Sequence, residues 1–313
     1  MRLRGTALYL DAVQSTGLCF VSHAHSDHAA RHQRVVATSA TLQVLTHRLG
    51  KLPSALASPF NQSFTLDAID LELVPAGHVL GSAQLRMTTK GRTVAYTGDL
   101  NTARALTAEP HGIAFCDVLV IESTFGTPKY RFPPREETYK AIHDFARQTL
   151  DDGATPVLFA YTLGKSQEAM KLLADAGLPV AVHSTIADIA DLYANLGCPL
   201  PHRRFDGALK KGEVLVFPMH LTRSRALDKI GPSRSAVLTG WALDPGTRYR
   251  YGTDAAFPLS DHADFEGLLT YVKQTGARKV LTVHGHAKEF AACLRDRGYD
   301  AQPLVTPRQM ELF

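Results

Sequence analysis

The stretch FVSHAHSDHAARH, from Phe20 to His32, decides how the rest of this sequence is interpreted. It follows an apolar run directly, and it contains four of the 14 histidines of the chain together with one aspartate. In an extended chain the side chains alternate between faces, so His23, His25 and Asp27 are expected to converge on one side. A turn at Asp27 would then return His28 to the same group.

This spacing is typical of a metal site. Imidazole nitrogens and a carboxylate oxygen bind Zn²⁺ or a similar first-row ion at about 2.0–2.2 Å. The alternative is a loop of solvated histidines, which would be the better interpretation for a single histidine. Four of them placed at the end of an apparent strand favour the metal site.

Three later motifs add ligands of the same kind. AGHVLGSA places His78 near glycines that allow a tight turn. YTGDLN ends a strand with Asp99, a carboxylate able to bridge two cations, and KVLTVHGH ends another with His284. The complete set is enough for two metal ions, which together can activate water for attack on phosphorus or a carbonyl. Its members are His23, His25, Asp27, His28, His78, Asp99 and His284.

Composition excludes several classes of protein. The chain has 313 residues, of which 45% are hydrophobic and 20% charged, as in ordinary globular proteins. No apolar run reaches the roughly 18 residues of a membrane span, and the N-terminal stretch lacks a signal-peptide core. The four scattered cysteines fit a reducing compartment. We therefore expect a soluble cytoplasmic protein without a membrane partner.

The pattern of elements predicts an α/β protein. The first third contains short strands, with FTLDAIDLELVPA as one candidate strand and Lys90-Gly91 as a hairpin turn. From about Phe125, strands alternate with helical stretches, which predicts a parallel sheet flanked by helices. Segments rich in Gly, Pro and Tyr at FGTPKYRFPP and DPGTRYRYGTDAAFP mark the expected domain boundaries.

Six motifs in this order resemble the metallo-β-lactamase fold, and specifically its β-CASP nuclease branch: HAHSDH, AGHVLGSA, YTGDLN, IESTFG, LSDHADF and TVHGH. The resemblance runs from Leu8 to about Leu304. It implies an αββα metallo-hydrolase sandwich formed by residues 1–125 and 257–313, interrupted by an α/β cassette domain at residues 126–256. It also implies two metal ions, Zn²⁺ or Mn²⁺, in a cleft where nucleic acid is cleaved.

The resemblance assigns the ligands to the two ions. It places His23, His25 and His78 on one ion, Asp27, His28 and His284 on the other, and Asp99 between them. Asp11, in LYLDA, matches an aspartate that orients the ligand loop in the family.

The leaving alkoxide needs a proton, and a histidine of near-neutral pKa can supply one. In the resembling family the histidine at the position of His262 is the general acid, and the acidic residue at the position of Glu122 holds it. Asp27 and Asp99 would act in catalysis through the metals. The alternative for the SDHAD segment is helix capping, which we expect of Asp261 or Asp264.

Charge indicates the class of substrate. Residues 203–250 contain ten basic and four acidic residues, a balance of 10 − 4 = +6 that suits a phosphate-binding groove. Arg223 and Arg225 are candidate substrate contacts in this segment. Lys165, at the start of a helix, matches a basic position of the family and is a third. The alternative is a basic face that is merely solvated.

The compact length, together with YTLGKSQE and PLSDHAD, looks most similar to bacterial ligase-associated DNA exonucleases. This favours single-stranded DNA as substrate and implies a functional link to a DNA ligase or helicase. The last motif reads VHGH where the family pattern is VHGE, which leaves His286 without an assigned role. A histidine in this motif is usual in RNA-acting members, so RNA is the alternative substrate. Two other hypotheses are a hydrolase of small thioesters or lactams and a non-catalytic nucleic-acid-binding relative.

Overall fold

The computed structural model describes residues 1–3 and 6–304. The chain divides into two compact units, one formed by Met1–Arg131 with His262–Phe313 and the other by Phe132–Asp261. The domain limits at 125/126 and 256/257 stay a prediction. No helix in the described part of the chain is long and apolar enough to cross a membrane.

The first unit contains two β-sheets, whose strands are numbered here in chain order. The smaller sheet is parallel throughout, and its strands follow the order β1 (Leu8–Leu10), β2 (Leu18–Phe20), β3 (Val35–Ala37) and β4 (Ala55–Ala57). The larger sheet contains β5 (Ser63–Leu66), β6 (Ile69–Pro75), β7 (Ala83–Thr89), β8 (Arg92–Tyr96), β9 (Val118–Glu122), β16 (Lys279–Val283) and β17 (Asp300–Pro303). Its spatial order is β17-β16-β9-β8-β7-β6-β5.

Hairpins connect the consecutive strands β5, β6, β7 and β8, and each of these strands is antiparallel to the next. The predicted turn at Lys90-Gly91 is confirmed, since both residues have positive φ (49° and 72°), as a tight hairpin between twisted strands requires. The single strand expected for FTLDAIDLELVPA is wrong. Asp67, at φ 54°, reverses the chain there and separates β5 from β6.

Alternation along the larger sheet places apolar side chains on both of its faces. In β9, Val120 packs with the side chains of the smaller sheet, while its neighbours Leu119 and Ile121 pack with α6 and α7. These two helices are Phe265–Thr275 and Ala287–Arg295. A further helix, α1 (Ser39–Leu49), contacts β4 of the smaller sheet. The predicted αββα sandwich is confirmed.

The predicted cap of α6 is found at Asp264, whose Oδ1 accepts a hydrogen bond from the backbone N–H of Gly267 (2.7 Å).

The second unit is a six-stranded parallel sheet with flanking helices, as expected from the alternating pattern. Its strands are β10 (Thr155–Ala160), β11 (Val180–Val182), β12 (Arg203–Arg204), β13 (Val214–Pro218), β14 (Ser233–Leu238) and β15 (Ala255–Phe257), in the order β12-β11-β13-β10-β14-β15. Its helices are α2 (Arg135–Asp151), α3 (Lys165–Asp175), α4 (Ser184–Asn195) and α5 (Thr247–Tyr251).

Candidate metal centre

Two connections in the first unit supply most of the expected ligands. The first ligand loop, residues 21–34, leaves the end of β2 and carries His23, His25, Asp27 and His28. The second ligand loop, residues 76–82, joins β6 to β7 and carries His78. Because each loop follows the end of a buried strand, its side chains start from a well-defined position.

Three imidazoles from these loops meet edge to edge. Nδ1 of His25 lies 3.0 Å from Nε2 of His23 and 3.1 Å from Nε2 of His78. The Oδ2 atom of Asp99, just beyond the end of β8, lies 3.4 Å from Nε2 of His23 and 3.6 Å from Nε2 of His78. The four ligand atoms all lie within 4.8 Å of one another.

This arrangement fits a cation. Ligand atoms placed tetrahedrally about 2.0–2.1 Å from Zn²⁺ are themselves about 3.3–3.4 Å apart. The separations of 3.0–3.6 Å among the three histidines and Asp99 match that value. Three nitrogens and one carboxylate oxygen are also the donor set that Zn²⁺ accepts.

The second carboxylate oxygen of Asp99 faces a different imidazole. Oδ1 lies 3.3 Å from Nε2 of His28. The ring of His284 lies 5.4 Å from the ring of His28, and Oδ2 of Asp27 lies 3.9 Å from its Nε2. The predicted ligands of a second ion are therefore neighbours, although they are more widely spaced than those of the first group.

Asp27 lies differently from the expectation of alternating faces. The chain turns at this point, where the backbone N–H of His28 bonds to the carbonyl oxygen of His25 (3.2 Å). The turn leaves the side chain of Asp27 79% exposed, whereas that of His28 is only 4% exposed. The turn returns His28 to the cluster, as predicted, and leaves Asp27 exposed at its edge, with Oδ2 3.9 Å from Nε2 of His28.

Asp11 fixes the first ligand loop through hydrogen bonds to Ser22 and His28. Its Oδ1 accepts from the backbone N–H of Ser22 (2.7 Å), and its Oδ2 accepts from Ser22 Oγ (2.6 Å), Tyr96 OH (2.8 Å) and Nδ1 of His28 (2.9 Å). The bond to Nδ1 leaves Nε2 of His28 pointing at Asp99.

Ser22 connects Asp11 to a second candidate ligand, His23. Since its hydroxyl donates to Asp11, its oxygen is available to accept from Nδ1 of His23, 2.9 Å away. This leaves a bare Nε2 on His23, the atom that faces the other ligands. Sequence reasoning missed Ser22 and Tyr96, because a serine and a strand tyrosine carry no metal signal of their own.

Burial and neighbouring charge set the protonation of the cluster. Burial lowers the pKa of His23 well below its ordinary value, and the surrounding imidazoles lower it further. The pKa of Asp99 is raised by burial, even though the charges of His28 and His262 oppose the rise. Burial alone would lower the pKa of His28, but Asp99 and Asp11 raise it to about 10.

A histidine–carboxylate pair lies beside the cluster. Nδ1 of His262 lies 2.9 Å from Oε1 of Glu122, and its Nε2 lies 3.9 Å from Oδ2 of Asp99. Glu122, at the end of β9, also accepts from the backbone N–H groups of Leu100 (2.7 Å) and Thr124 (3.2 Å). Although burial raises the pKa of Glu122, His262 and these hydrogen bonds outweigh it, and the pKa lies below its ordinary value.

Comparison with known proteins identifies the fold and its metal chemistry. A profile described as a beta-lactamase superfamily domain matches residues 6–183, and one described as a Zn-dependent metallo-hydrolase RNA specificity domain matches residues 255–302. The chain belongs to the metallo-β-lactamase β-CASP nuclease family. The members of this family are metal-dependent hydrolases, and His23, His25, His78 and Asp99 form a cluster that could hold a metal ion.

Three relatives in this family have names that indicate different roles. A "Probable DNA ligase" of Opitutus terrae is 40% identical over 97% of this chain and 30% of that protein. "RNase aCSPSF2" of Saccharolobus solfataricus is 27% identical over 52% of this chain and 39% of its own length. "DNA cross-link repair protein SNM1" of Arabidopsis thaliana is 24% identical over 94% of this chain and 68% of its own length. The chain thus spans only about a third of the first two relatives.

The expected substrate contacts lie in the second unit. Arg223 and Arg225 are exposed and form no ion pair with any residue that the structure describes. Lys165, at the start of α3, is 5% exposed, and its Nζ forms an ion pair with Asp261. Lys165 is therefore buried and paired, unlike an exposed lysine that binds phosphate. Its role in binding substrate stays a prediction.

Two histidines outside the predicted ligand set have local contacts. His32, the last residue of the opening stretch, is buried, and its Nδ1 accepts from the backbone N–H of Thr16 (3.2 Å), which ties two loops together. His286 precedes α7, and its ring lies 5.5 Å from that of Tyr130.

Proposed function

We propose that this protein is a metal-dependent nuclease that hydrolyses phosphodiester bonds of nucleic acid. The observation that carries the proposal is the position of Asp99, whose two oxygens face separate imidazole groups while His262 lies 3.9 Å from one of them. A shared carboxylate between two cation sites, next to an acid–base histidine, is the arrangement that phosphoryl hydrolysis needs.

The chain's residues would hold two divalent ions. His23, His25 and His78 would hold the first, and Asp27, His28 and His284 the second, with Asp99 shared. When bound, such ions supply positive charge for the phosphate and acidity for the attacking water. The donor set of histidine nitrogens and carboxylate oxygens accepts either Zn²⁺ or Mn²⁺.

His262 would deliver the proton to the leaving oxygen. Its Nδ1–H donates to the buried carboxylate of Glu122, so the other ring nitrogen, Nε2, is the position from which a proton can be transferred. An ionised Glu122 also stabilises the imidazolium form, which is the form that acts as an acid. Asp11 and Ser22 keep His28 and His23 in the tautomers that direct Nε2 toward Asp99.

Single-stranded DNA is the substrate that we favour, with exonucleolytic cleavage in DNA repair as the role. The similarity to the Opitutus terrae protein supports this, because it extends over nearly the whole chain and that protein is named a probable DNA ligase. The same similarity supports a functional link to a DNA ligase, and we propose a cytoplasmic location in keeping with both.

RNA is the alternative substrate. The match at residues 255–302 is to a domain described by its RNA specificity, and one relative is named an RNase. An RNA-processing endonuclease or exonuclease would use the same metal centre.

A cleavage assay distinguishes these alternatives. The purified protein is incubated with end-labelled single-stranded and duplex DNA and RNA, in the presence of Zn²⁺ or Mn²⁺, and the product ladders are resolved. We expect progressive shortening of single-stranded DNA, and no cleavage by His25→Ala. Cleavage of RNA alone would favour the alternative, and equal cleavage by His25→Ala would overturn the proposal.

A further inference from the structure

The two ligand loops belong to different sheets, and the first metal site needs both of them in register. His23 and His25 follow a strand of the smaller sheet, whereas His78 lies between two strands of the larger one. Metal–ligand distances vary by only about 0.2 Å, so the position of one ligand loop relative to the other must be fixed by contacts with the rest of the unit. One direct bond does so at their base, from the backbone N–H of Ala83 to the carbonyl oxygen of Ser22 (2.8 Å).

The N-terminal end of α1 holds the second ligand loop. Oγ1 of Thr41 donates to the carbonyl oxygen of Gly81 (3.0 Å), and so does Oγ1 of the capping residue Thr38 (2.7 Å). Both threonine side chains are buried. The contact is close, because a Cβ at Gly81 (φ +78°) would lie only 2.5 Å from Cβ of Ala40.

The C-terminal end of α1 holds the first ligand loop. Nη1 of Arg48, in the last turn, donates to the carbonyl oxygen of Ala24, the residue between His23 and His25. Ala24 is 3% exposed. A fixed carbonyl at this position fixes the peptide plane that leads into His25, and the nearby carboxylate of Asp27 attracts the same guanidinium.

We propose that α1 aligns the three-histidine site, with Arg48 and Thr41 as positioning residues at its two ends. The helix runs about 15 Å from Thr38 to Arg48 and is stiff over that length. By bonding to one carbonyl in each ligand loop, it sets the distance between His78 and the His23–His25 pair. The inference rests on the proposed ligand set, since it concerns the metal that these histidines would hold.

Arg48→Met and Thr41→Val test the proposal, because each removes one side-chain donor with little change in size. Arg295→Met is the matched control, since Nη1 of Arg295, in the last turn of α7, also donates to a backbone carbonyl, that of Ala301 (2.9 Å), and neither residue belongs to a ligand loop. The zinc dissociation constant is measured by competition with a chromogenic chelator, and thermal unfolding is followed with and without zinc. We expect Arg48→Met and Thr41→Val each to bind zinc about 10–100-fold more weakly, as loss of outer contacts does in other metal sites.

Arg295→Met should bind zinc as the wild type does. Arg48→Lys, which keeps one donor, should recover part of the affinity and carries the test if Arg48→Met fails to fold. A lower unfolding temperature of the metal-free protein with an unchanged zinc dissociation constant would overturn the inference, because it would show a role in stability alone.

His25→Ala separates this inference from the proposed function. If His25→Ala loses zinc while Arg48→Met and Thr41→Val bind it normally, only the role of α1 is wrong. If His25→Ala binds zinc as the wild type does, the ligand set itself is wrong, and both fail.

Discussion

Nδ1 of His262 lies 2.9 Å from Oε1 of Glu122, a carboxylate that is fully buried and accepts two further backbone hydrogen bonds. These bonds orient the pair, and Nε2 of His262 lies 3.9 Å from Oδ2 of Asp99. In the proposed function, this buried carboxylate orients His262 and stabilises its charged form.

We expect Glu122→Gln to lower kcat with little effect on KM. The amide keeps the shape and one acceptor of the carboxylate but loses the charge that stabilises the imidazolium. His262→Ala should lower kcat by about 10²–10⁴-fold, the usual contribution of a general acid, and Glu122→Gln by less. Steady-state cleavage of a labelled oligonucleotide measures kcat and KM for both variants.

The double variant is the control for this pair. If Glu122 acts through His262, removing it from the His262→Ala protein should change kcat little further. Two full and additive losses would contradict the arrangement.

Asp99→Asn should affect both groups of ligands at once. Its two oxygens face His23 and His78 on one side and His28 on the other, and an amide presents only one acceptor oxygen. We expect less bound zinc per chain. The loss of activity should exceed about 10–100-fold, which is the usual effect of removing a residue that contacts a ligand and not the metal. Elemental analysis after dialysis measures the metal. Asp117 precedes β9, at the end of β8 and β9 opposite to Asp99. Asp117→Asn should therefore keep the bound zinc.

Sequence reasoning could group the candidate ligands because each lies in a connection that follows the end of a strand. The sequence predicted Asp99 between two groups of ligands and Asp11 as the residue that orients the first ligand loop. Asp99 lies 3.4 Å from His23 and 3.3 Å from His28, and Asp11 lies 2.9 Å from His28. These residues lie in motifs whose chemistry is visible in the residue types themselves.

Other features depend on contacts between distant parts of the chain. Lys165 forms an ion pair with Asp261, 96 residues away in the sequence, and no local sequence pattern predicts that partner. Alternation predicted Asp27 inside the cluster, but the turn that begins at His25 ends the extended conformation first. Arg48 and Thr41 look like ordinary helix residues, since only the folded chain brings them to the ligand loops.

Arg223 and Arg225 should contribute to binding the nucleic-acid backbone. Both are exposed and without an ion pair among the described residues, so their charge is available to phosphates. For single strands, each phosphate contact adds about 0.7 to the slope of log affinity against log salt. We expect Arg223→Ala and Arg225→Ala to raise KM and each to reduce that slope.

Arg204→Ala is the matched control in the same unit. Its guanidinium is also exposed but already pairs with Asp188 and Asp191, at 2.6 Å each. Its removal should leave the salt dependence unchanged. An equal effect in all three variants would mean that the unit acts only through its overall charge.

Arg135 should matter for the stability of the second unit and not for catalysis. Its guanidinium forms two hydrogen bonds, of 2.7 and 2.6 Å, to the carboxylate of Glu168, whose side chain is 3% exposed. Because Arg135→Met would leave that buried charge without its cation, we expect a loss of about 3–5 kcal/mol in the free energy of unfolding. Arg234→Met, which removes an exposed pair with Asp152, should lose no more than about 1 kcal/mol. The single tryptophan of the chain, Trp241, lies in this unit, so urea unfolding followed by its fluorescence measures both variants. Equal losses in the two proteins would show that the Arg135–Glu168 pair stabilises the unit no more than a surface ion pair does.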